Sequence, residues 1–236
     1  MSDRPPPSSA MLVDTPKAGT VEQIEVCGGF ARGVAAEARD FGASVRRAGE
    51  ILSGAKGAAV ELLAAKLGDR LVPGALTLER SSASAEHAFG SYAAEVDRIH
   101  CDADRIVADM ESALETVRVC ASSIERIAQA IGSPPHDRWD VAPAITMPEP
   151  RPGSGTAGVS AAEWELTANS LRAIHGQDWL HAAATWRATL EQVDSLRARW
   201  AALVEERAIV ERRMVRGLEE TGIGQLIALA GGRGPG

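Results

Sequence analysis

"LVPGALTLERSSASAEHAFGSYAAEVDRIHCDADRIVADM", residues 71–110, carries the most regular pattern in the chain. Leu71, Ala75, Leu78, Ser82, Ala85, Phe89, Tyr92, Val96, Ile99, Ala103, Ile106 and Met110 follow one another at steps of three and four. That step places them on one face of an α-helix. After one slip of register near Met110 the stripe continues through Leu114, Val117, Ala121, Ile124 and Ile127 to Ile131. A helix over 74–131 would be roughly 87 Å long at 1.5 Å per residue. Such a length calls for a coiled-coil-like rod rather than an ordinary globular helix. The predicted fold class is therefore all-α, with elongated antiparallel helical hairpins in a coiled-coil-like bundle.

The segment before this rod supplies a first partner. From Val21, a stripe of Cys27, Phe30, Val34, Phe41, Val45, Ala48 and Leu52 predicts a helix that stops at Leu52-Ser53-Gly54. We read Leu52, Ser53 and Gly54 as a hairpin turn, with the glycine releasing the backbone and Leu52 anchoring the turn. A second helix restarts near Gly57 and carries Val60, Leu63 and Leu67. Pro73 either begins a new helix or kinks a continuous one. The first helix spans roughly 50 Å, so it covers only the near half of the rod. The far half, including Ile106, Met110 and Leu114, needs another cover, since burial of each Leu or Ile there stabilises by roughly 1.5–3 kcal/mol. Either the helix over 178–220 or a partner chain supplies it.

Composition divides the chain into five parts. Residues 1–19, rich in Pro and Ser, read as a flexible tail, and 20–131 as the hairpin with its long second helix. Gly132-Ser133-Pro134-Pro135 ends the rod and opens a Pro/Gly/Ser-rich linker over 132–159. Residues 160–220 are read as a Trp-rich second helical segment, and 221–236 as a loose Gly-rich tail with Leu226, Ile227 and Leu229 as its candidate docking residues. Ser160 and Glu163 have the spacing of a capping box. A short helix with Trp164, Leu171 and Ile174 should end at Gly176, and Asp178 should cap the next. That next helix carries Trp179, Ala183, Trp186, Leu190, Val193, Leu196, Trp200, Leu203, Val210 and Met214. Trp179, Trp186 and Trp200 share a heptad phase, so they line one face, either packed on the long helix or offered to a partner.

Little in the sequence suggests chemistry. Hydrophobic residues make up 45% and aromatics 4%, which suits close-packed helices. A net charge of −7 disfavours nucleic-acid binding. No apolar run approaches the length of a membrane span, and the N-terminus has no secretory leader pattern. The expectation is cytoplasmic synthesis without a cleaved signal and without membrane insertion. Cys27, Cys101 and Cys120 form no disulfide framework, and Cys27 and Cys120 read as small buried hydrophobes. His100 and Asp104 stand one turn apart but lack third and fourth ligands on a matching face, so they read as a solvated flank and no metal is expected. The charge run from Glu205 to Arg213 reads as a solvated face stitched by i,i+4 pairs. No phosphate loop, HExxH, GxSxG or Ser-His-Asp set occurs. No catalytic residue and no cofactor are expected.

A helix, a small-residue turn and a returning helix resemble the WXG superfamily of type VII (ESX) secretion substrates. The passages "RDFGASVRRAGEILSG", "AFGSYAAEVDRIHCDADRI" and "WRATLEQVDSLRARWAALVEER" look like the N-terminal helical domains of actinobacterial polymorphic toxins. Leu52-Ser53-Gly54 stands where the family has Trp-x-Gly, keeping the glycine and replacing the tryptophan. The family's Tyr-x-x-x-Asp/Glu export signal is not matched, since Tyr92 is followed four residues on by Val96 and Asp97 is one place late. The resemblance implies a non-enzymatic targeting and docking module. It would pair with a small helical WXG-like partner or with itself, and a secretion ATPase would recognise the assembly. Its candidate partner or core-packing face comprises Phe30, Val34, Phe41, Val45, Ile106, Met110, Leu114, Trp179, Trp186 and Trp200. No toxin domain follows before Gly236, so the chain is expected to be a standalone or truncated module or to act with another protein. The alternative is a cytoplasmic coiled-coil or scaffold protein that is not exported.

Overall fold

The computed structural model describes residues 5–152 and 159–222. Among them the chain is all-α, with no strand. A single turn, α1 (Ser8–Met11), precedes α2 (Val21–Ser53), α3 (Ala58–Lys66), α4 (Val72–Ala130) and α5 (Ala161–Glu220). The expected dock of Leu226, Ile227 and Leu229 lies outside the described residues.

The long stripe forms as a helix because its apolar side is continuous. Val96, Ile99, Ala103, Ile106, Met110, Leu114 and Val117 on α4 are almost completely buried. Between α3 and α4 the chain makes a π-helical turn, Leu67–Leu71, in which the Val72 N–H reaches back to the Leu67 carbonyl. This wider turn lies just upstream of Pro73, which brings no N–H and crowds the carbonyl four residues behind it. The helical path thus continues through the proline.

The chain divides into two compact units. One joins Asp102–Val204 to the segment that ends at Thr15. Its core is bulky. Ile106, Met110 and Leu114 of α4 cluster with Val193, Leu196, Trp200 and Leu203 of α5. Val117, Ile124, Ile127 and Ile131 cluster with Trp179, Ala183 and Trp186. So α5 covers the far half of the long stripe, and no partner chain is needed there.

The other unit joins Pro16–Cys101 to the segment that begins at Glu205. Here α2 runs antiparallel to α4. Arg32 pairs with Glu86 at 2.6 Å and Arg39 with Glu79 at 2.7 Å, while Gly28 faces Phe89 and Gly42 faces Ala75. The buried residues of α2 are Gly28, Ala31, Ala35, Ala38, Gly42 and Val45, again at steps of three and four. A Cβ at Gly28 or Gly42 would lie 3.4 or 3.3 Å from its α4 neighbour, so the two backbones approach closely. This corrects the expected α2 stripe. Small residues of α2 face α4, whose Ala75, Ser82 and Ala85 are buried, and Phe30 and Phe41 are left off the seam.

Three further expectations are corrected, for the first 19 residues, Gly176 and Cys27. The segment 1–19, expected as a loose tail, buries Met11, Leu12 and Pro16. The linker packs as well: Trp139, Ala142 and Met147 lie on the Trp179–Trp186 cluster. Gly176 does not end a helix, because α5 runs unbroken past it and past Asp178. The roughly 1 kcal/mol that a mid-helix glycine costs is outweighed by burial of Ala168 before it and Trp179 after it. Cys27 is exposed, while Cys120 is buried. The Ser160–Glu163 capping box is present, with Glu163 accepting from the Ser160 N–H at 2.9 Å and Ser160 Oγ accepting from the Glu163 N–H at 3.3 Å.

Candidate interaction faces

The structure sorts the proposed partner or packing face into two kinds of surface. Ile106, Met110, Leu114, Trp179, Trp186 and Trp200 are core. Each indole N–H also has an acceptor. Trp179 Nε1 donates to the Ala144 carbonyl at 2.9 Å and Trp186 Nε1 to the Trp139 carbonyl at 2.9 Å. Trp200 Nε1 is shared between the Val13 and Asp14 carbonyls at 3.0 and 3.2 Å. His136 stands edge-on to Trp186, with ring centroids 5.3 Å apart. These three tryptophans are therefore covered by the chain's own segments.

Residues of α2 behave differently. Val45 is buried and Val34 half-buried, but Phe30 is 74% and Phe41 52% exposed. Val26 and Ile51 extend the same row and are also exposed, Ile51 by 77%. Val26, Phe30, Val34, Phe41, Ala48 and Ile51 are spaced at three, four or seven residues, so they share one side of α2. That side lies roughly a third of a turn from the small-residue seam at 100° per residue. Beside it, Val34, Phe41, Leu71 and Leu78 line an open groove of about 360 Å³. A helix with two apolar sides, one meshed with α4 and one in water, can accept a second helix.

The turn below this face differs in detail from expectation. Ser53 closes α2, its hydroxyl donating to the Glu50 carbonyl at 2.7 Å. Leu52 is half-buried. Gly54 has φ −83° and ψ −8°, ordinary right-handed backbone open to any residue. The position that needs glycine is Gly57, where φ is +140°. The hairpin thus bends at Gly57, three residues after the Leu-x-Gly triplet.

The charge run also holds one exception to a solvated face. Arg207 is only 6% exposed. Its Nη1 donates to Tyr92 Oη at 2.6 Å and its Nη2 to the Ala18 carbonyl at 2.9 Å. Glu211, one turn on, lies 3.2 Å away, and the guanidinium carbon is 5.0 Å from the Tyr92 ring centroid. Arg207–Glu211 is one of the expected i,i+4 pairs, whereas Glu206 and Arg213 pair across to Arg98 and Glu95 of α4 rather than along α5.

Among the described residues, no group of three or more His, Cys, Asp or Glu side chains gathers as a metal site would require. His100 lies half-buried on α4, and Asp104 one turn beyond it is exposed. No helix among the described residues is long and apolar enough to cross a membrane. Comparison with known proteins finds no matching family model, no similar curated protein and no similar solved structure.

Proposed function

We propose that this chain is a non-enzymatic helix-pairing module that offers the outer side of α2 to a helical partner. The observation that carries the reading is the exposure of Phe30 and Phe41 in one row with Val26 and Ile51. Water disfavours such a row, and an amphipathic helix laid along it would cover it. The reading extends, by the sequence's resemblance to WXG-type substrates, to a role in type VII (ESX) secretion. There the paired helices would form the assembly that a secretion ATPase takes up. The helical hairpin and its open apolar side support this reading.

The test is export from the native host. The wild-type chain is expected in the culture medium, and it should be lost from there when the secretion ATPase is deleted. The double substitution Phe30→Asp, Phe41→Asp should hold a folded chain inside the cell, because it alters only water-facing positions. Equal export without the ATPase would overturn the secretion role. A chain found only in the cytoplasm, yet sized as a complex that the double substitution dissolves, would make it a scaffold.

A further inference from the structure

Residues 8–14 join their unit in an unusual manner. They form one helical turn, with the Leu12 N–H donating to the Ser8 carbonyl at 3.1 Å, followed by extended chain. Pro5, Pro6 and Pro7 precede the turn, and their missing N–H groups leave no ladder to extend it. Two adjacent side chains, Met11 and Leu12, enter the same buried cluster as Ile106, Met110, Leu196, Trp200 and Leu203. The next side chain, Val13, points to water and is 73% exposed. Asp14 then takes φ +61°, a left-handed conformation that Asp tolerates better than most residues. Near this bend the Val13 and Asp14 carbonyls both reach the single N–H of Trp200. At the surface the Ser8 hydroxyl also donates to Glu111 Oε1 at 3.3 Å.

This is how a peptide ligand sits in a groove: two apolar anchors, one turned-out side chain, and backbone carbonyls read by a fixed donor. The trough that receives it belongs to α4 and α5, whose own helical bonds do not involve the segment. We propose that this trough, built from Ile106, Met110, Leu196 and Trp200, is a peptide-binding site. Residues 8–14 fill it as an intramolecular plug that a second peptide of the same pattern can replace. The ligand class is a short segment with one helical turn, two consecutive apolar residues and a following residue able to take left-handed backbone. The site is independent of the α2 face and of any role in export.

The full-length chain carrying Met11→Asp and Leu12→Asp releases the plug, and the indole N–H resonance of Trp200 reports on the trough. That resonance is assigned by its loss in Trp200→Phe. The probe is a synthetic peptide of residues 5–15, PPPSSAMLVDT. The resonance should move in the double variant and return to its wild-type position as the peptide is added. A peptide with the same two aspartates should leave it displaced. The proposal is overturned if the resonance never moves or if the wild-type peptide fails to restore it. It is equally overturned if the double variant loses its helical circular dichroism, because the segment is then core and not a plug.

Discussion

A Cβ at Gly132 would stand 2.7 Å from the carbonyl oxygen of Arg151. Gly132 has φ +68° and follows the last turn of α4, where the Ser133 N–H donates to the Ala128 carbonyl at 2.8 Å. This is the geometry of a helix end closed by a left-handed glycine. The Arg151 N–H returns to the Ile131 carbonyl at 2.8 Å, which holds the returning chain against the turn. Gly132→Ala meets both a strained backbone and a backbone atom that cannot swing away. The expected loss is about 1–3 kcal/mol. Chemical denaturation of the two proteins measures it.

Trp186 and Phe30 should respond very unequally to truncation, although the sequence places both on apolar stripes. Trp186 is 1% exposed and its N–H is bonded, so Trp186→Ala should cost about 3–5 kcal/mol. Phe30→Ala removes a ring that already stands in water and should stay within about 0.5 kcal/mol. Thermal unfolding of the two variants compares them directly.

The three thiols divide by environment. Cys27 and Cys101 are exposed, whereas burial pushes the Cys120 thiol pKa up and disfavours the reactive thiolate. Titration of the native chain with a thiol reagent should modify Cys27 and Cys101 promptly. Cys120 should react only on unfolding, and mass spectrometry of the labelled peptides identifies each site.

The start of α5 should depend on pH. The Ser160 hydroxyl and then its backbone N–H hold the Glu163 carboxyl below its ordinary value. A carboxyl lowered in the folded state stabilises above the unfolded value and loses that contribution as pH falls through the folded one. The window therefore lies below about pH 4.3, the ordinary glutamate value. Amides in the first turn of α5 should lose exchange protection there. Glu163→Gln keeps an acceptor for the Ser160 N–H and should remove the pH dependence of that turn.

The legibility of the sequence followed the size of its side chains. Ile106, Met110, Leu114 and their neighbours recur at a constant step, so α4 and its buried side could be read directly. On α2 the large residues misled, because Phe30 and Phe41 carry the apolar signal while Ala31, Ala35 and Ala38 make the contact. A periodic row of Ala and Gly was the available clue. Met11 and Leu12 were hidden by the prolines and serines around them, which suggest an unstructured tail. Arg207 was masked by a charge run, and only its alignment with Val210 and Leu203 hinted that it faces inward. The apolar stripe of α2 stops at Leu52-Ser53-Gly54, where the helix ends, but the strained glycine is Gly57.

The seam of α2 has a consequence for how the molecule opens. A methyl or a bare Cα removes little apolar surface from water, so Gly28, Ala31, Ala35, Ala38 and Gly42 hold their helix with far less energy than Ile, Met and Trp supply between α4 and α5. Arg32–Glu86 and Arg39–Glu79 add little, since both arginines are well exposed. Cooperative stability is then uneven, and α2 should open before α4 and α5 separate. Native-state hydrogen exchange should show its amides trading protons well before those around Ile124 and Trp186. The helix that carries the open apolar row is thus freer to leave its place and re-form on another surface than α4 or α5.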